Sequence, residues 1–174
     1  MLMRVAAFEK VFGFRSDLIA GEEPELCVRL RAAGWKIWRL DQEMTLLDAA
    51  MTRFSQWWKR TTRAGYAFAE GAYLHGVPPE RHWVRESRRA WIWGLVFPYI
   101  ALMLSVISIK WGALFLLIYP LQVIRLARRN STKEKKAWIM AFFLVLGKFP
   151  EMLGQIEFFW RLYNGRQGQL IEYK

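Results

Sequence analysis

Cysteine, histidine and acidic residues are scarce in this chain, which has one Cys, two His and fifteen Asp and Glu against twenty-six Lys and Arg in 174 residues. A lone Cys27 excludes an internal disulfide and reads as a small buried apolar residue. His75 and His82 lie seven apart in a segment containing Gly76, Pro78 and Pro79. They lack the i, i+4 spacing or companion Cys of a zinc site, and both read as surface residues. The three aspartates, Asp17, Asp41 and Asp48, never fall in a D-x-D spacing. Residues 1 to 20 hold no uninterrupted apolar stretch, because Arg4, Glu9, Lys10, Arg15 and Asp17 divide them, so no secretory leader is expected there.

Apolar residues, by contrast, are in surplus. At 54% hydrophobic and 16% aromatic, with ten Trp, the chain carries more than a single soluble core of this size holds. The remainder must face lipid or a partner. A net charge of +11 suits nucleic acid or an anionic membrane surface. The placement of charge decides between them, since the basic residues flank long apolar runs, as the positive-inside rule expects. Membrane lipid is therefore the expected partner, and nucleic acid is not.

Residues 1–50 read as part of a soluble α/β unit. Pro24 near a helix start, Leu26, Leu30 and Ala33 on one face, and Gly34 as a stop predict a helix of about ten residues. Trp35 to Leu40 alternates apolar and basic residues, the period of a half-buried strand, and Thr45 to Leu47 reads as a second. One helix and two strands cannot close a core, so this part is incomplete as read. Residues 51–90 contain a helix from Met51 to Tyr73 with apolar positions at steps of three and four, opposite Arg53, Lys59, Arg60 and Arg63. Its Trp margin and basic face are those of a helix lying in a membrane interface, and a helix packed on the soluble unit is the alternative. The segment then breaks at Gly76, Pro78 and Pro79.

Residues 91–129 predict a transmembrane hairpin. Trp91 to Ile109 is free of charge, and as a helix it measures about 28 Å, enough for the hydrocarbon core. Trp111 to Ile124 continues the apolar run, so one straight helix over both would reach about 50 Å, and a turn is expected near Lys110 and Gly112. Arg85, Arg88 and Arg89 before the hairpin, and Arg125, Arg128, Arg129, Lys133, Lys135 and Lys136 after it, place both ends on the cytoplasmic side. Residues 130–174 read as a membrane-associated segment, in-plane or re-entrant, because Lys148 and Glu151 interrupt its apolar run.

The stretch Phe12-Gly13-Phe14, then Gly21-Glu22-Glu23-Pro24-Glu25-Leu26-Cys27-Val28-Arg29-Leu30-Arg31, then Ala33-Gly34-Trp35, combines an acidic first helical turn with a basic last one. By itself that pattern is helix capping, and Glu25 can pair with Arg29 at i+4. As a whole the string resembles the acceptor-side segment of family 2 glycosyltransferases with the GT-A fold. There a GGF element precedes G-E-D-x-D/E-L-x-x-R-L-R-x-A-G-W/Y. Here Phe12 stands for the first glycine and Glu23 for the usual aspartate. Arg53 to Arg60, with Gln56-Trp57-Trp58, resembles that family's Q-x-x-R-W element.

The resemblance implies a mixed fold: a partial α/β, C-terminal GT-A fragment over 1–50, followed by a mostly α-helical membrane region. It implies inverting transfer from a nucleotide-sugar to a lipid-linked or polysaccharide acceptor at the cytoplasmic face of the inner membrane. Glu23 would be the general base with Glu22 beside it, Gln56 and Trp57 would line the acceptor site, and Arg60 or Arg63 would face diphosphate. A divalent metal, Mg or Mn, would be bound mainly by a donor-binding half not found in this sequence, with Asp48 as a marginal ligand. This chain alone is then expected to be inactive. The rival is a non-catalytic membrane protein that binds anionic lipid or a partner glycosyltransferase.

Overall fold

The computed structural model describes residues 2–38, 51–130 and 134–165. Nine α-helices carry these residues: α1 (Val5–Lys10), α2 (Glu22–Ala32), α3 (Phe54–His75), α4 (Val84–Trp91), α5 (Phe97–Ile107), α6 (Ile109–Leu116), α7 (Ile118–Asn130), α8 (Lys135–Leu146) and α9 (Lys148–Tyr163), with a π-helical turn at Ile92–Val96 joining α4 to α5. The partial α/β fold is not found, because the described residues are all-helical and contain no strand. A strand needs a neighbouring edge for its backbone N–H and C=O groups, and residues 35–38 have none among the described residues. Trp35 packs against the α1–α2 cluster of Ala7, Val11, Leu26 and Leu30, whereas Trp38 is exposed. The second expected strand, Thr45 to Leu47, lies outside the described residues.

Prolines punctuate the apolar half. A proline lacks an N–H and its ring crowds the carbonyl four residues back. Pro120 and Pro150 are each the third residue of a helix, and the preceding helices end at Leu116 and Leu146, four residues before them. Pro98 has the same effect one register wider. The π turn bonds Phe97 back to the Ile92 carbonyl, so the next carbonyl, Trp93, would receive from residue 98, which has no donor. The Tyr119 hydroxyl supplies it instead, donating to the Trp93 carbonyl at 2.5 Å.

Three stretches are long and apolar enough to cross a membrane: Val84–Ile107, Ile109–Arg129 and Lys135–Tyr163. The first two meet at Ser108, which has extended backbone, close to the turn expected near Lys110. Their apolar side chains point outward: Leu102, Val106, Ile107, Ile109, Leu114 and Leu121 are all exposed. Such a surface suits a lipid solvent and not water. The third stretch comprises α8 and α9 on either side of Gly147 and covers the residues expected to be in-plane or re-entrant. Lys148 and Glu151, the charges behind that expectation, pair with each other at 2.5 Å.

Close packing is made by small residues, as in helix pairs within lipid. At Gly65 on α3 an added Cβ would lie 2.0 Å from the Glu151 carbonyl oxygen, and at Gly154 on α9 it would lie 1.9 Å from the Thr62 carbonyl oxygen. The two backbones therefore touch, and α3 runs alongside α9 in the same direction, from Trp57 beside Gly147 to Tyr66 beside Phe158. Much of the apolar face of α3 is covered by this contact. Gln155, fully buried, joins α9 to α4, accepting from the Ser87 hydroxyl at 2.6 Å and donating to the Ser87 carbonyl at 3.2 Å.

Candidate functional site

The motif helix α2 is held on the end of α3 by its own charged residues. Glu25 is buried at 2% exposure and accepts from Arg29 at 2.7–2.9 Å, while His75 on α3 contacts its Oε1 at 3.0 Å. Burial works against its ionisation more than any other single cause, yet the bonds from Arg29 and His75 together hold its pKa below the ordinary carboxylate value. Arg29 also donates to the Val11 carbonyl and, at 2.8 Å, to the Gly13 carbonyl, which fixes the Phe12-Gly13-Phe14 loop. Arg31 pairs with Glu80 at 2.6 Å beyond α3. His75 and His82 are thus not simple surface residues: His75 meets Glu25, and His82 stacks on Trp83 at 4.3 Å. Cys27 is partly exposed and free.

The acidic turn starts where only glycine fits. Gly21, the N-cap of α2, has φ +87°, and a Cβ there would meet the Trp83 ring at 2.6 Å. Glu22, Glu23 and Pro24 are the first three helical residues, so Gly21 and not Glu23 caps the helix. Glu22 and Glu23 are exposed and make no side-chain hydrogen bond or ion pair among the described residues.

The remaining expected site residues lie along α3. Gln56 accepts from the Arg53 backbone N–H at 3.3 Å, so its carbonyl helps close the helix start. Trp57 packs edge-on against Phe143 of α8 at 5.0 Å. Arg60, one turn on, is exposed, and Arg63 donates to the Ile19 carbonyl at 3.3 Å, linking α3 to the segment that enters α2. Trp57 and Arg60 line a cavity of about 320 Å³ together with Thr61, Met140, Leu144 and Glu151. Met140 and Leu144 also form part of the outward apolar surface. The structure thus brings Trp57 and Arg60 together, ties Arg63 to the approach to α2, and leaves Gln56 at the helix start. Asp48 lies outside the described residues. Among those that are described, no three His, Cys, Asp or Glu side chains are grouped to hold a metal ion, and the resemblance places the divalent cation mainly on a donor-binding half beyond them.

One residue with functional chemistry was missed by the sequence reading. Glu70 lines a second cleft, between the C-terminal halves of α3 and α9. Burial pushes its pKa up to about 7, a backbone hydrogen bond at Ile19 opposes that, and its Oε2 is buried with no hydrogen-bond partner among the described residues. The signal was present: Glu70 is the single acid in a 22-residue helix otherwise rich in aromatic, small and basic residues. Comparison with protein families, curated proteins and solved structures finds no match for this chain.

Proposed function

We propose that the chain is the acceptor-side, membrane-embedded part of a glycosyltransferase. It acts on a lipid-linked or polysaccharide acceptor, with inversion, at the cytoplasmic face of the inner membrane. The nucleotide-sugar and its metal are held by donor-binding residues outside the part described here. Glu23 takes the acceptor hydroxyl proton, Glu22 shapes the same turn, and the Arg60 guanidinium meets phosphate. The observation that carries the reading is the cavity between α3 and α8. It is of the size that holds small ligands, and it joins Trp57 and Arg60 to the lipid-facing Met140 and Leu144. A phosphate-bearing lipid can enter such a cavity sideways, leaving its chain against the apolar wall and its charge at Arg60.

Photo-crosslinking tests this directly. In nanodiscs containing a diazirine-bearing polyprenyl phosphate, the label should fall on Trp57, Met140 or Leu144, and Arg60→Ala should weaken labelling by about tenfold, the value of one charge-assisted contact. If phosphatidylglycerol competes as well as unlabelled polyprenyl phosphate, the basic helix is a general anionic-lipid surface and the non-catalytic rival holds.

A further inference from the structure

We propose that the cleft at the other end of the α3–α9 pair binds a neutral, polyhydroxylated ring, a sugar or cyclitol unit. The inference does not rest on the proposed function. Its cleft lies toward the C-terminal ends of the two helices, whereas Trp57 and Arg60 sit near the start of α3, Trp57 sixteen residues or about 24 Å along that helix from Tyr73. The volume is about 260 Å³, below the roughly 300–1,000 Å³ of sites for drug-sized ligands, and so fits one ring and not a chain of them.

Charge balance selects the ligand class. Arg15 and Asp17 satisfy each other at 2.6 and 3.0 Å, and Arg161 is paired with Glu157 at 2.6 Å. The remaining acid, Glu70, is shared between its charged and neutral forms near neutral pH, because burial raises its pKa to about 7. Among the described residues, a cation would therefore find no unpaired anion at full strength, and an anion no unpaired cation. Unused capacity remains all the same. Each guanidinium has N–H donors beyond those bonded to its acid, Asp17 keeps acceptor lone pairs, and the Tyr66 and Tyr73 hydroxyls make no hydrogen bond among the described residues. Such a site offers donors and acceptors in similar number, and ring hydroxyls match both. Tyr73, 61% exposed and resting on Phe158 at 5.9 Å, presents an aromatic face to the C–H side of a ring.

Saturation-transfer NMR on the full chain in nanodiscs, with methyl glucoside and myo-inositol as free probes, tests the assignment. Transfer is expected to the neutral rings but not to choline or methyl phosphate. Tyr73→Ala and Asp17→Asn, both at exposed positions, should each weaken binding about tenfold without changing helix content by circular dichroism. A second arm replaces part of the bilayer with monoglucosyl-diacylglycerol. Displacement of methyl glucoside by this lipid makes the ring a headgroup, and absence of displacement makes it a free sugar, and both outcomes support the site. Comparable transfer to choline or methyl phosphate, no transfer to either ring, or unchanged binding in both folded variants overturns it.

Discussion

Phe12 is held in a conformation that favours glycine, and replacing it should stabilise the protein. Its φ is +60° and the following Gly13 has φ +67°, so two successive left-handed residues form the loop that Arg29 grips from below. A side chain in that region costs about 1–2 kcal/mol. Phe12→Gly removes this strain and restores about 0.5–1 kcal/mol of freedom to the unfolded chain. The ring is 94% exposed, so almost no burial is lost. The balance is a gain of about 0.5–1 kcal/mol, or roughly 1–4 °C in Tm for a chain of this length. Thermal unfolding followed by circular dichroism in detergent measures it. Gly13→Ala is the opposite control, since its Cβ would meet the Phe8 ring at 3.0 Å as well as keep a positive φ, and it should lower Tm. A fall in Tm for Phe12→Gly would refute the strain assigned to this loop.

Three further expectations follow from packing, charge and topology. Gly65→Ala places a methyl against the Glu151 carbonyl and should cost about 1–3 kcal/mol, read as a lower Tm; no change would mean that α3 and α9 do not touch there. Glu70 has a folded pKa of about 7 against 4.5 in the free side chain, so protonation stabilises the fold fully below about pH 4.5, and this contribution is lost as pH rises through 7. The full separation corresponds to at most about 3 kcal/mol, reduced by the partial exposure of the site. Glu70→Gln should flatten the fall in Tm between pH 4.5 and 7, and an unchanged slope would show that another group titrates. Finally, a cysteine placed at Lys110 in a Cys27→Ser background should be labelled only from the side opposite residues 85 to 89, and labelling from the same side would sink the hairpin.

The helices were legible wherever one face repeats. Leu26 and Leu30, with Gly34 at φ +85° behind them, marked α2, and the apolar steps of Met51 to Tyr73 marked α3 to within three residues. Residues 35–38 misled because alternation reports which side chains are apolar and not whether a partner strand exists, and Trp35 uses its position to cover α2. Lys148 and Glu151, counted as separate charges, made a helix look expensive to bury, but they pair across one turn. The Glu25–Arg29 pair was visible at i+4, whereas His75, fifty residues away, depended on how α2 rests on α3. Glu70 needed the fold as well, because its raised pKa comes from burial that no local pattern encodes.

Glu23 is proposed as the general base, on an acidic turn that Glu25 holds in place. The direct measurement is turnover in membranes where the chain is complemented by a donor-binding polypeptide bearing a D-x-D motif, comparing Glu23→Gln with Glu25→Gln. Glu23→Gln should lower kcat by about 10² to 10⁴, the usual share of general base catalysis, with donor KM nearly unchanged and Tm unaltered, because Glu23 is exposed and has no partner among the described residues. Glu25→Gln should instead lower Tm, because it removes the charge that Arg29 and His75 share. Normal turnover in Glu23→Gln, or identical behaviour of the two variants, would contradict the claim and return the acidic turn to helix capping.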